Sequence, residues 1–333
     1  MPLVVLLMSA CGQEDREGSR SSEGVAVCFS VNDDGPTVRG ASTAPSVFHA
    51  GGIGVFAFYQ KAKSNGYPVD FNKNIGEPTF MYNQELTTAD GGVHWTYAPT
   101  KYWPNNVNDQ LSFFAYAPYD PSTAWEDLKM ESNYDGTKIS RRYVVEDEVA
   151  DQQDYLWADP VLNRRKTATA TSFVFTHLCA RIGVTAKLAD ASSDVYATID
   201  NLVIKGNFLT SGTMVYTPSD EMRAWQNLDG GGTLKNYTIF KASYDEHGGY
   251  HTFEIGTDAV PGTEEVSVPD ANGYVFVIPG TQDITLVADV SRRSKTGGTI
   301  VGTTQIEQNF PAMTLEENKI YKFLLNISLT DGS

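Results

Sequence analysis

Cysteine is nearly absent from this chain: three residues, Cys11, Cys28 and Cys179, stand among 333. That is too few for the disulfide framework of a small secreted scaffold, and none falls in a C-x-x-C frame that would hold zinc. Histidine is scarce too, and its five copies (His49, His94, His177, His247, His251) are scattered. His247 and His251 are four apart, but Gly248 and Gly249 lie between them, so the spacing reads as a hairpin turn and not as two ligands on a helix face. Cations are outnumbered, 25 Lys and Arg against 41 Asp and Glu, leaving a formal charge of −16. A polyanion partner gains affinity by counterion release from clustered Lys and Arg, so nucleic acid is excluded. The basic runs Arg141-Arg142, Arg164-Arg165-Lys166 and Arg292-Arg293 are short and read as solvated loop faces. There is no nucleophile elbow, P-loop or dinucleotide fingerprint; Gly51-Gly52-Ile53-Gly54 precedes a strand and reads as a turn. The carboxylate run Glu146-Asp147-Glu148 reads as a solvated face before it reads as an acid/base pair. No catalytic residue, cofactor or metal is expected, and the chain is not expected to be an enzyme.

What the sequence does hold is aromatic residues, 17 Tyr, 16 Phe and 5 Trp, punctuated by 29 Gly. That balance favours strands joined by turns. Val25, Val27, Phe29 and Val31 alternate with Ala26, Cys28 and Ser30, the period of a strand with one apolar face. A turn-rich linker follows. Then IGVFAFYQ (53–60), PTFMYNQEL (78–86), VHWTYAPTKYWP (93–104) and LSFFAYAPY (111–119) give four aromatic strands. Trp95, Tyr97, Tyr102 and Trp103 form either a sugar-stacking platform or core packing, and core packing is the preferred reading. Residues 120–159 read as a long connection with one or two short strands. RRKTATATS (164–172) marks the expected domain boundary, and beyond it Phe173, Phe175 and His177, then Ile182, Val184, Ala186 and Leu188, alternate again. IDNLVIKG, TMVYTP, NYTIFKASY, YHTFEIG, YVFVIPG, DITLVADV and KIYKFLLNISLT complete a second strand set, the last with Tyr321, Phe323, Leu325, Ile327 and Leu329 on one face. The Asp229-Gly230-Gly231-Gly232 and Thr296-Gly297-Gly298 segments suit hairpin turns. The expected layout is a tether at 12–24, a first β-sandwich at 25–168 and a second at 169–333.

The N-terminal run MPLVVLLMSAC is too short to span a bilayer and resembles a lipoprotein signal, 1–11, with the lipobox Met8-Ser9-Ala10-Cys11. It departs from that pattern in lacking a Lys or Arg before the apolar run. The resemblance implies cleavage before Cys11 and acylation of that residue, an anchor in the outer membrane by several acyl chains. Gln13-Glu14-Asp15 resembles an acidic signal for export to the outer face. An exported compartment would permit a bridge between Cys28 and Cys179; two unpaired buried thiols is the preferred reading.

GGIGVFAFYQ, PTFMYNQELTT and WTYAPTKYWPNNVNDQLSFFAYAPY, in that order, closely resemble the N-terminal part of the fimbrillin family of Bacteroides-type anaerobes. FVFTHLCARIGV, YVFVIPGTQDITLVADV and LEENKIYKFLLNISL resemble later strands of the same family. The resemblance implies an all-β fold of two tandem transthyretin-like Greek-key sandwiches, and a pilus subunit at the cell surface. It also implies an arginine-directed protease as a partner, cutting at Arg39-Gly40 to free the strand bearing Val25, Val27, Phe29 and Val31. By position alone Arg39 is equally an ordinary loop arginine. A strand so removed leaves apolar pockets and unpaired main-chain groups that another subunit's strand can fill. Donor subunits carry an extension beyond the last core strand. This chain stops at Thr330-Asp331-Gly332-Ser333, so either the sequence is cut short or the subunit accepts a strand without donating one from its C-terminus, and in the second case a terminal or accessory place in the fibre is expected. The competing readings are a surface glycan-binding lipoprotein and a membrane-retained pilus anchor.

Overall fold

The computed structural model describes residues 24–33, 51–67, 69, 71, 78–123, 129–133, 136–190, 192–217, 222–230, 233–247, 249–257, 264–270 and 273–329. Among these the fold is all-β, with a single helical turn, of 3-10 type, at Val149–Asp151. The chain divides into two units. The first holds Met1–Arg142, Tyr155–His177 and Thr213–Gln226; the second holds Tyr143–Asp154, Leu178–Gly212 and Asn227–Ser333.

The strands of the first half are β1 (Phe29–Asp33), β2 (Ile53–Gln60), β3 (Met81–Leu86), β4 (Gln110–Ala117), β5 (Lys129–Asn133), β6 (Gly136–Val144), β7 (Leu156–Ala158), β8 (Val161–Arg164) and β9 (Thr171–His177). One sheet runs β1-β9-β7-β4-β2-β3, with β8 also on β4. Its central strands β2 and β4 are buried on both faces, so their sequences read as continuous apolar runs and not as alternation. One face carries Ile53, Val55, Ala57, Leu111, Phe113 and Ala115 into a core shared with Val27, Phe29, Trp95, Trp103, Phe173 and Phe175. The other carries Phe58 and Phe114, whose rings pack on Phe71 at 5.3 Å each. Gly54 is required where it stands: a Cβ there would lie 2.2 Å from the Tyr116 ring on β4. Gly52, at φ 68°, makes the turn into β2 that the glycine run announces.

Two expectations need correction here. The segment 93–104 is no ladder strand; it pairs only through isolated bridges, Thr87 to Thr96 and Ala26 to Tyr102. Pro99 and Pro104 explain this, since each lacks a donor and restricts the residue before it. Conversely, the loose region 120–159 supplies the well-formed hairpin of β5 and β6, registered from Lys129 opposite Ser140 to Asn133 opposite Gly136.

The remaining strands are β10 (Ala180–Leu188), β11 (Val195–Gly206), β12 (Ser211–Thr217), β13 (Met222–Asp229), β14 (Lys235–Lys241), β15 (Ser243–Tyr244), β16 (Tyr250–His251), β17 (Phe253–Ile255), β18 (Val266–Val268), β19 (Val275–Val277), β20 (Gly280–Ser294), β21 (Ile300–Leu315) and β22 (Ile320–Ile327). β12 and β13 join β6 and β5 in a four-stranded sheet. In the second unit β10 takes β22 in parallel, from Arg181 opposite Ile320 to Leu188 opposite Ile327, and β18 and β19 antiparallel. Phe323, Leu325, Ile327 and Leu329 are buried, on the face that their alternation indicates. A further sheet runs β14-β11-β20-β21, and its outermost strand, β21, has no counterpart in the sequence reading. β20 and β21 form a long hairpin closed through Gly297 and Gly298 at φ 86° and 67°. Their ladder slips between Gln282 and Ile284, where Ala312 adopts φ 51°. The Ala312 N–H donates to Asp283 Oδ1 at 2.8 Å, which pins this bulge.

Candidate functional site

The segment from Val25 to Asp33 is seated by two separate stretches of backbone in the first unit. Its first half lies against 101–103: Val27 N–H donates to Lys101 O and Trp103 N–H donates to Val25 O, both at 2.9 Å. Its second half, β1, runs parallel to β9, Phe29 opposite Thr171 through Asp33 opposite Phe175. The Thr171 N–H donates to Cys28 O at 2.7 Å at the changeover. The Tyr97 hydroxyl donates to Val27 O at 2.7 Å and takes the Lys101 N–H at 3.3 Å, bracing the contact between the first half and 101–103. Burial raises the Tyr97 phenol above its ordinary pKa, so this hydroxyl keeps its proton across the working range.

The side chains follow the alternation. Val27 and Phe29 are buried, and Val25 and Val31 pack half-buried on the same core. The Phe29 ring stacks on Phe173 at 5.4 Å and meets Phe113 and Tyr97 edge-on at 5.6 Å each. Two fully buried side chains at about 1.5–3 kcal/mol each, plus two partial ones, amount to roughly 5 kcal/mol of burial in one short segment at a sheet edge. That is a large part of a domain's net stability.

Sequence reasoning finds the apolar face of this segment but not its seat: nothing in the residues announces the parallel partner β9, or that Tyr97 and 101–103 clasp the other half. Trp95 and Trp103 lie in the core at 7% and 3% exposure, so the core reading of these aromatics holds; of the four, Tyr102 alone is exposed. Cys179 is a free, buried thiol, its titration pushed upward by burial and by Asp154, so no bridge joins it to Cys28; the reading of two unpaired buried thiols holds for Cys179 alone, because Cys28 is half-buried and disulfide-bonded. Cys11, Arg39 and Gly40 lie outside the described residues. The turn read between His247 and His251 is present: β15 and β16 pair Ser243 with His251, and Asp245 Oδ1 accepts the N–H groups of His247 and Gly249. Among the described residues no group of three or more His, Cys, Asp or Glu is placed to hold a metal, and no helix is long and apolar enough to cross a membrane.

The family model described as fimbrillin-like matches residues 43–332. The chain belongs to the fimbrillin-like family. Of solved structures, a fimbrial protein from Bacteroides vulgatus ATCC 8482 is 17% identical, with 91% of this chain and 95% of that one aligned at a TM-score of 0.62. It supports the fimbrillin-like fold. A candidate cell adhesion protein from Bacteroides uniformis ATCC 8492 is 17% identical over 91% of this chain and 93% of its own, at 0.48. Another from Bacteroides ovatus ATCC 8483 is 13% identical over 92% and 93%, at 0.49. No curated protein matches the chain. As a fimbrillin-like protein it has a structural role.

Proposed function

We propose that the chain is a structural subunit of a cell-surface pilus that supports adhesion, built as two transthyretin-like Greek-key sandwiches. It is exported as a lipoprotein acylated at Cys11 and held at the outer membrane until an arginine-directed protease cuts between Arg39 and Gly40. Cleavage frees the segment carrying Val25, Val27, Phe29 and Val31, and a strand from a neighbouring pilin takes its place.

The observation that carries this reading is the seat of the first segment. Val27 and Phe29 are buried in a core otherwise built from residues 53–175, and the segment lies at a sheet edge. Its covalent link to that core runs through 34–50, the stretch that contains Arg39. Once the link is cut, the plug is held by non-covalent contacts alone, and its β1 part by a parallel ladder, the slightly weaker kind of pairing. Its loss would leave Trp103 N–H and Thr171 N–H without partners, and Lys101 O with the Tyr97 hydroxyl alone at 3.4 Å, beside an apolar trough. A strand of the same period restores both, with ladder bonds giving affinity and alternate side chains giving selectivity. Such pairing is head-to-tail and open-ended, as a fibre requires. The retained-anchor reading differs only in leaving Arg39 uncut.

Limited digestion of the full chain with an arginine-specific protease tests it. The expected result is a new N-terminus at Gly40 by mass, followed by complexes with an extended pilin that are suppressed by excess peptide of residues 25–33. Cleavage at Arg39 that leaves a monomer with no affinity for either peptide or pilin refutes the assembly scheme.

A further inference from the structure

In the second unit, where β11 ends, β13 ends and β20 begins, the surface opens into a cleft of about 550 Å³. Asn207, Leu209, Leu228, Thr281, Gln282 and Asp283 are among its lining residues, with Pro279, Gly280 and Ala312 completing it. The volume is within the range of sites that take small molecules, ~300–1,000 Å³. We propose that this cleft binds a neutral saccharide, the amides of Gln282 and Asn207 and the Asp283 carboxylate meeting hydroxyl groups while Leu209, Leu228 and Pro279 meet the C–H face of a sugar ring.

Three independent features point this way. Gln282 is only 8% exposed, and its Nε2 is buried without a hydrogen-bond partner among the described residues. A buried amide donor left unpaired is costly, and such a group calls for an acceptor that the fold itself does not provide. The wall beside it is the pinned bulge, with Ala312 held at φ 51° by Asp283, a placing of backbone irregularity that recurs next to binding sites. Finally, Leu228 stays 43% exposed on the rim, an apolar surface at the mouth of a polar cleft.

Charge decides the ligand class. No Lys, Arg or His lines the cleft, and its one charged side chain is a carboxylate, so an anionic ligand has nothing to neutralise it and one charge to repel it. A wholly apolar ligand would leave the Gln282 and Asn207 amides desolvated and unpaired. A ring with hydroxyls on its edge and C–H groups on its face satisfies both halves of the lining. The proposal does not rest on polymerisation, since the lining residues all belong to the second unit and the segment 25–33 to the first.

The test uses the full chain with maltose, lactose and N,N′-diacetylchitobiose as neutral probes and sialyllactose as the anionic one, followed by ligand-observed NMR. At least one neutral probe is expected to bind, with Gln282→Met and Asn207→Ala each weakening it about ten-fold and Leu228→Ala by a smaller factor. Gln282→Met is also expected to leave Tm unchanged or raise it, because it removes an unpaired buried donor. Absence of binding by all three neutral probes, equal or tighter binding of sialyllactose, affinity untouched by Gln282→Met, or a lowered Tm for that variant would each overturn the proposal; the last would mean that the amide serves the fold.

Discussion

Two of the edge strands, one in each unit, are stabilised in opposite ways. β1 is five residues long, with the residues just before it clasped by a second backbone stretch, and it is held by what it buries. β21 is sixteen residues long and mostly exposed, with Val301 at 58%, and its register on β20 runs nearly its whole length. Its stability is spread along a ladder, at a small gain for each bond. A short segment whose stability is concentrated on two or three side chains is the kind of unit that the proposed exchange requires. A long ladder has no such exchangeable unit. The bulge at Ala312, in its ladder with β20, and Pro311 make this edge strand irregular, which is how exposed edges are kept from pairing with strangers.

The comparison breaks most visibly at Phe29. Phe29→Ala removes a ring packed on Phe173, Phe113 and Tyr97 and should cost about 3–5 kcal/mol in urea denaturation. Val301→Ala on β21 should stay within about 0.5 kcal/mol. Equal costs would show that the two edges are held alike. A smaller effect sharpens the point within the first unit: Tyr97→Phe deletes the hydroxyl shared by Val27 and Lys101 and should cost about 1 kcal/mol, with faster amide exchange at Val27. In the second, Ala312→Gly should raise stability by about 1 kcal/mol, because glycine carries no penalty at positive φ.

The same contrast explains what was legible beforehand. The buried face of the first segment was readable because Val25, Val27, Phe29 and Val31 share one task, burial on one side, and a period of two records it. Strands β2 and β4 were readable from their aromatic density, although burial on both faces erases alternation there. β21 was not, because Gly302, Thr303, Thr304 and Gln305 face water or a half-covered sheet and carry no periodic apolar signal, while Pro311 argues against a strand unless an edge is assumed. The partners of β1 escaped for another reason: a strand's sequence specifies its faces but not which neighbour will bond to its edge, nor in which direction. The cleft at Gln282 depends on a bulge, and the one trace of it in the residues is a proline inside a strand.

The smallest expected effect tests whether the seat of the plug can be loosened from outside. Between β3 and the 95–103 stretch that clasps Val25 and Val27, Asp90 accepts the His94 N–H at 2.9 Å and pairs with its ring, while Thr88 bonds to Asp90 and to the Gly92 N–H. These bonds, the one from the His94 backbone foremost, hold the Asp90 pKa down at about 2 against an ordinary 3.8. Because the folded value is the lower one, the carboxylate contributes its full stabilisation above about pH 4 and loses it as the pH falls toward about 2. The loop is exposed, so the loss should be slight and local: faster amide exchange at Thr96 and His94 between those pH values, with β21 amides unchanged. Asp90→Asn should abolish that pH dependence. If exchange at Val27 instead follows the same titration with equal amplitude, the clasp and the loop move as one body, and the plug's seat is sensitive to a group on its rim.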